Sequence, residues 1–321
     1  MKITKNLIIL VFTLFLCLGY TIPGFSQDFP TRPIKMLVFY PPGGSTDLLA
    51  RAFQVPLEKE IGTKIIVENI PGGSGKVGTL ELLKAKPDGY TITLHADMSW
   101  VYYYHNKIYD SKFWEKLTPL GNVNREGYGF FEVNAESPYI KWEDFMKRAK
   151  ENPGKLLVTG AISMQFILNE VLKASGIKVK FVPVRGSADI TIQILGGHAD
   201  LGLHGQAQDG IPMMRAGKSR GLAVNTEKRM KALPDVPTFK ELGIWPGPPA
   251  LKTVAIWGPP NLPPKITSTI ARAVERATQN PDFVKTMTDN FAFNIEYIPP
   301  DKEKESLMNF DKVYGPGLAE E

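Results

Sequence analysis

Cysteine is almost missing from this chain: the single copy, Cys17, sits inside an apolar run near the N-terminus. With one thiol there is no intrachain disulfide and no thiolate metal cluster. Histidine is scarce too, and His95, His105, His198 and His204 show no paired ligand spacing. No zinc site can therefore be read from the residues. The apolar run at 7–18 is shorter than the roughly 20 residues a bilayer-spanning helix needs. No continuous basic stripe exists, because basic and acidic residues are mixed, as in Lys147-Arg148-Ala149-Lys150-Glu151. That excludes the electrostatic footprint of a nucleic-acid binder. Tandem repeats and low-complexity tracts are absent as well.

What remains is a folded, two-sided composition: 321 residues, 43% hydrophobic and 22% charged, enough for one large or two medium domains that need no disulfide. At the N-terminus Lys2 and Lys5 precede the apolar run, small residues follow at Gly24 and Ser26, and a polar segment begins near Gln27. This is a signal-peptide layout, with cleavage expected near Ser26 and export of the mature chain. Leu16, rather than a small residue, precedes Cys17, which argues against lipid attachment there. Losing Lys2 and Lys5 lowers the net charge from +5 to +3, a slight excess that suits an anionic ligand.

Along the expected mature chain, strand and helix patterns alternate. A buried strand at 34–39 leads through a Gly turn into a helix at 47–60, and a strand at 64–68 leads through another Gly turn into a helix at 78–86. A strand follows at 90–95. Further strands are expected at 128–133, 156–158, 179–182, 201–203 and 221–224, with helices at 141–151, 164–175, 188–195, 208–216 and 264–278. Such alternation predicts α/β units, each a mostly parallel sheet flanked by helices. Two units joined by more than one crossing leave a cleft between them. The Pro-rich stretch 245–249 reads as the return crossing.

The first turn, Pro41-Pro42-Gly43-Gly44-Ser45-Thr46-Asp47, carries the functional reading. Its glycines let the backbone approach a ligand, and Ser45, Thr46 or Asp47 can cap the helix. Free N–H groups and the helix dipole then favour an anion. An ordinary capped strand-to-helix turn fits the same residues. The second turn, Gly73-Ser74-Gly75-Lys76-Val77-Gly78, matches the dinucleotide fingerprint, with Asp97 about 20 residues on. Asn69-Ile70-Pro71-Gly72 intervenes after the strand, however, and Val77 replaces the Ser or Thr of a P-loop. No cofactor is expected. His95 and His204 end strands, where α/β ligands bind. Trp100, Tyr102, Tyr103 and Tyr104 form either core packing or an aromatic wall for the ligand.

Spaced motifs in one order carry a wider resemblance. They run from Phe29-Pro30-Thr31-Arg32-Pro33-Ile34 through the first turn, Val67-Glu68-Asn69-Ile70-Pro71-Gly72-Gly73-Ser74-Gly75 and Lys86-Pro87-Asp88-Gly89-Tyr90-Thr91. Asn152-Pro153-Gly154-Lys155, Gly196-Gly197-His198-Ala199-Asp200, Arg215-Ala216-Gly217-Lys218, Lys228-Arg229 and Leu233-Pro234-Asp235-Val236-Pro237-Thr238 complete the set. Over nearly its whole mature length the chain resembles the tripartite tricarboxylate transporter substrate-binding receptors, or Bug receptors, of Gram-negative bacteria. The resemblance implies a two-domain periplasmic-binding-protein (Venus-flytrap) fold with the ligand cleft between its domains. It also implies a monomer that binds a small organic carboxylate and delivers it to membrane permease subunits.

In such receptors the turn matching Gly43 to Asp47 holds a carboxylate through backbone amides and ordered water. The opposing loop matches Thr159-Gly160-Ala161-Ile162-Ser163-Met164, and the strand ends matching Ala96 to Ser99 and His204-Gly205-Gln206 also face the cleft. This chain departs from the pattern at Met164-Gln165-Phe166, where small residues and prolines are usual, and at Arg185, which precedes Gly186 directly. Arg185 is either a bidentate partner for a second carboxylate or a surface charge. The expected ligand-binding residues are therefore Pro42, Gly43, Gly44, Ser45, Thr46, Asp47, Ala96, Asp97, Met98, Thr159, Ala161, Ser163, Arg185, His204 and Gly205, with no catalytic or metal residue. Residues 27–124 with 249–321 are expected to form one domain and 125–248 the other, after a signal peptide at 1–26. Two rival readings remain: an exported enzyme using Asp97, His204 and Arg185, and a sensory ligand-binding module.

Overall fold

The computed structural model describes residues 29–127, 129–205, 210–226, 228–230, 232–244, 251–291 and 293–318. The signal segment with its cleavage point, Tyr128, Gln206, the start of the helix expected at 208 and the crossing expected at 245–249 lie outside them. The first half of the chain builds β1 (Ile34–Val38), α1 (Ser45–Ile61), β2 (Ile65–Asn69), α2 (Lys76–Lys84), β3 (Thr91–His95), α3 (Met98–His105) and β4 (Thr118–Gly127). A second lobe follows as β5 (Phe130–Asn134), α4 (Trp142–Glu151), β6 (Leu157–Ala161), α5 (Gln165–Ser175), β7 (Lys180–Val184), α6 (Ser187–Leu195), β8 (Leu201–His204), α7 (Ile211–Arg215) and β9 (Ser219–Val224). The chain then returns as β10 (Leu251–Gly258) and closes with α8 (Pro264–Thr278), α9 (Pro281–Phe291) and α10 (Pro300–Leu318).

The two sheets have matching plans, β2-β1-β3-β10-β4 and β7-β6-β8-β5-β9. In each, three strands pair in parallel, from Ile34↔Ile65 and Lys35↔Thr91 in the first to Leu157↔Lys180 and Val158↔Leu201 in the second. The fourth strand, β10 or β5, is antiparallel to both of its neighbours. Four strands of five thus share a direction. Each sheet is mixed because its opposed strand is the one that enters from the other lobe.

Met36, Leu37 and Val38 are all fully buried. Successive strand residues face opposite sides, so this requires cover on both faces of the sheet. On one face α1 brings Leu49, Phe53, Leu57 and Ile61, at helical spacing, against Ile270, Val274 and Ala277 of α8. Gly62, left-handed at φ 80°, ends α1. The other face belongs to a core that continues through Trp100 and Tyr102 into Phe131, Val158 and Leu203 of the second lobe. Phe166 of α5 is the joint. Its ring lies 6.3 Å from Tyr102 and 6.3 Å from Phe310 of α10, so a residue that breaks the expected pattern bridges the lobes.

Candidate functional site

The first turn leaves the C-terminal end of β1, where the strand order reverses and ligands of open α/β sheets collect. Gly43 takes φ +90°, a conformation that other residues enter only with strain. Gly44 precedes the helix with no side-chain cap, and the stabilising group is Asp47 instead. Its Oδ2 accepts the Gly43 N–H at 3.0 Å and Arg51 Nε at 3.1 Å, while its Oδ1 accepts Asn69 Nδ2 at 2.9 Å. Asn69 also donates to the Tyr40 carbonyl at 3.1 Å, fastening the turn to β2. Burial pushes the Asp47 carboxyl upward, but the bonds from Arg51, Gly43 and Asn69 outweigh it and hold the group below its ordinary 3.8. Leu48 makes the first helical bond, to Gly44 O at 2.9 Å, so the amides ahead of it sit at the positive end of the helix.

A second helix start faces the first. Gly186 is extended, and α6 begins at Ser187. Asp189 Oδ2 accepts the Arg185 backbone N–H at 3.3 Å and its Nε at 2.9 Å, and Oδ1 accepts Nη2 at 3.2 Å. That hydrogen bond from Arg185, ahead of burial, lowers the Asp189 carboxyl. The two starts are therefore built alike: Gly44-Ser45-Thr46-Asp47 and Gly186-Ser187-Ala188-Asp189 each place an aspartate three residues past the glycine, bonded back to the amide before that glycine. Their positions in the sheets differ, since α1 follows the inner strand β1 and α6 follows the edge strand β7.

Both starts border one cavity of about 70 Å³, with Tyr40 and Pro41 on the first side and Ala161, Met164 and Gly205 closing the second. Among the described residues that line it there is no lysine or arginine. Attraction for an anion must then come from helix dipoles and amide donors. Tyr40 is a fixed wall: its ring stacks on His95 at 5.2 Å and its hydroxyl lies 3.3 Å from Ser99 Oγ.

Gly44, Ser45, Thr46, Ala161 and Gly205 line this cavity, whereas Pro42 and Gly43 sit on the exposed outer side of the turn and Asp47 lies behind it. Thr159 is buried and donates to Val182 O at 3.0 Å. The backbone of Ser163 belongs to a 3-10 turn at Ile162–Met164, and its side chain lies outside the described residues. Arg185 borders a neighbouring cavity.

Four expected contacts belong to the interior instead. Ala96 and Met98 are buried in the two cores. Asp97 is fully buried and accepts Thr253 Oγ1 at 2.7 Å and Trp257 Nε1 at 3.2 Å, which ties α3 to β10. Burial, and then the nearby Glu303, push its carboxyl well above the usual range. His204 is equally enclosed, with Nε2 2.6 Å from Glu132, whose other oxygen accepts Ser219 Oγ. Asp97 thus serves the first sheet, His204 the second and Arg185 the surface, so the triad required by the enzyme reading is not brought together.

The aromatic group divides too. Trp100 packs at 5.7 Å from Trp257, Tyr104 on Trp114, and Tyr103 reaches a cavity wall. Tyr40 and the first residues of α6, Ser187, Ala188 and Asp189, were not among the residues expected from sequence. The recurring Gly-Ser-x-Asp was the signal that could have located α6.

The sequence pattern of the tripartite tricarboxylate transporter family receptors matches residues 49–310. The chain belongs to that family. A relative from Cupriavidus necator, the UPF0065 protein in the gbd 5′ region, is 31% identical over 267 residues, covering 82% of this receptor and 79% of its own length. Among solved structures, MatC from Rhodopseudomonas palustris with bound malate superposes with a TM-score of 0.81 at 21% identity, covering 90% of this receptor and 100% of that chain. Rpa4515 of R. palustris with adipate gives 0.78 at 23% identity, covering 90% and 98%. These likenesses show the fold of the receptor. Among its described residues no helix is long and apolar enough to cross a membrane, and no group of three metal-ligating side chains occurs.

Proposed function

We propose that this receptor captures a small organic carboxylate in the periplasm, between the starts of α1 and α6, and hands it unchanged to the membrane permease subunits of a tripartite transporter. The observation that carries this reading is the convergence of two helix N-termini, one from each lobe, on a single cavity with no lysine or arginine among the described residues of its wall. A carboxylate there accepts amides from both lobes, so it binds best when they are together. Binding then shifts the ensemble toward the closed form. That malate and adipate occupy two structures of the same fold supports the ligand class.

In this reading residues 1–26 are removed near Ser26, residues 27–124 with 249–321 form one moving body and 125–248 the other, the protein acts as a monomer, and no bond is made or broken. Thermal denaturation across a panel of organic acids provides the test. The cognate acid at a hundred times its Kd stabilises by about 2.7 kcal/mol. A folded protein whose melting point no organic acid raises, or one that returns a chemically altered ligand, contradicts the proposal.

A further inference from the structure

The cavity between the helix starts is small, about 70 Å³, room for roughly five water molecules at the 10–15 Å³ each requires. It holds a carboxylate and little more. On the other side of Tyr40 and Pro41 lies a second cavity of about 510 Å³, within the range of sites that enclose a whole organic ligand. The two share Tyr40, Pro41 and Ala161, so they adjoin along that wall.

The walls of the larger chamber define its chemistry. Phe39 and Tyr103 form one side, and Ile162, Pro183 and Val184 face them from the second lobe. Among the described residues that line it, Arg185 is the one charged side chain, and its Nε and Nη2 already bond to Asp189, which neutralises it. The remaining wall is the turn that matched the dinucleotide fingerprint. Gly72, Gly73, Ser74 and Gly75 all have positive φ, at 132°, 53°, 55° and 85°. Within it, Gly75 N–H donates to Gly72 O at 3.0 Å and Val77 N–H to the same oxygen at 3.4 Å. The turn bends sharply and presents mostly backbone to the chamber.

From this geometry we infer that the cognate ligand is a carboxylate with an extended apolar body, alkyl or aryl, whose head sits between α1 and α6 and whose tail fills the chamber beside Tyr103 and Val184. The inference rests on the receptor reading above and adds the substrate class. Compact hydroxyacids and short diacids would leave the chamber to water.

A straight-chain series of monocarboxylates from butyrate to octanoate, with 4-phenylbutyrate, succinate and malate beside it, tests this by calorimetric titration of the full mature protein. Kd is expected to fall about two- to fourfold with each added methylene, the factor for moving one from water into an apolar site. Val184→Asn, on an edge strand and away from the carboxylate, is expected to weaken octanoate five- to tenfold and to leave butyrate within twofold. A flat or rising Kd along the series, with succinate or malate bound more tightly, overturns the chamber assignment while the receptor reading stands. A long α,ω-diacid bound tenfold more tightly than its matched monoacid also overturns it, since Arg185 would then be reading a second carboxylate. If no carboxylate of any length binds, both readings fall together.

Discussion

The two helix starts use the same four-residue device under opposite conditions. Around Asp47 the device is enclosed: the side chain is 6% exposed, and Gly43, Arg51 and Asn69 all converge on it from fixed elements. Around Asp189 it is open: the aspartate side chain is 24% exposed, its partner Arg185 is 82% exposed, and both belong to one local segment after an edge strand. The first start is pre-set by the body of its lobe, and the second is held mainly by itself. An enclosed network loses little order when a ligand arrives, whereas an exposed pair is screened by salt and adjusts at small cost. This division suits a receptor in which one lobe grips the common head group and the other adapts to the particular ligand.

The strongest way to break the comparison is Asp47→Ala. It removes one acceptor from Gly43, Arg51 and Asn69 together, and hydrogen bonds to charged groups contribute about 1.5–3 kcal/mol. Carboxylate affinity is expected to fall about a hundredfold, equal to about 2.7 kcal/mol, with a lower melting point. A titration that shows less than a fivefold loss would mean that the turn is held by β1 and α1 without its aspartate. Phe166→Ala comes next. The joint between Tyr102 and Phe310 disappears, and aromatic pairs contribute about 0.5–1.5 kcal/mol beyond their buried area. The ligand-free protein should open, giving a larger radius of gyration in X-ray scattering and about tenfold weaker apparent affinity. An unchanged scattering curve would show that the lobes are held together elsewhere.

Why the enclosed start was legible in sequence and the open one was not follows from these same contacts. Pro-Pro-Gly-Gly after a buried apolar strand is a backbone signal, and backbone signals survive without tertiary information. The alternation of strands and helices was readable for a similar reason, because β1 and α1 show their periods directly. β4 and β10 were not, since their alternation is broken by two register shifts where the chain crosses between lobes. Asp97 and His204 stood at strand ends and looked like ligand contacts. Only the third dimension reveals Thr253, Trp257 and Glu132 waiting for them, residues 156, 160 and 72 positions away. At Arg185 the sequence left open a carboxylate partner or a surface charge, and Asp189, four residues later in the first turn of α6, takes up its guanidinium.

Asp189→Asn sharpens the contrast from the weaker side. Loss of the negative charge releases Arg185 into solvent and loosens the start of α6, and the expected cost is about threefold in affinity at low salt. The Debye length is about 10 Å at 0.1 M and about 3 Å at 1 M, so the difference between variant and parent should vanish in concentrated salt. For Asp47→Ala it should persist. Equal salt sensitivity in the two variants would contradict the assignment of one network to the interior and the other to the surface.

The smallest expected effect is a pH dependence whose direction is fixed by the lowered Asp47 carboxyl. An acid whose folded-state value lies below its unfolded value of 3.8 contributes stability that is fully present above 3.8 and is lost as the pH falls through the folded value. The melting-point deficit of Asp47→Asn should therefore stay constant from pH 8 to pH 5 and begin to close only below about pH 4, where the unfolded chain takes up its proton. Asp189 shifts in the same direction, so Asp189→Asn should show the same shape at smaller amplitude. The ratio of the two amplitudes measures how much of each aspartate's attraction survives exposure to water. If the Asp189→Asn curve closes by as much as the Asp47→Asn curve, the second helix start is as firmly built as the first, and specificity must then be sought in the chamber beyond Tyr40.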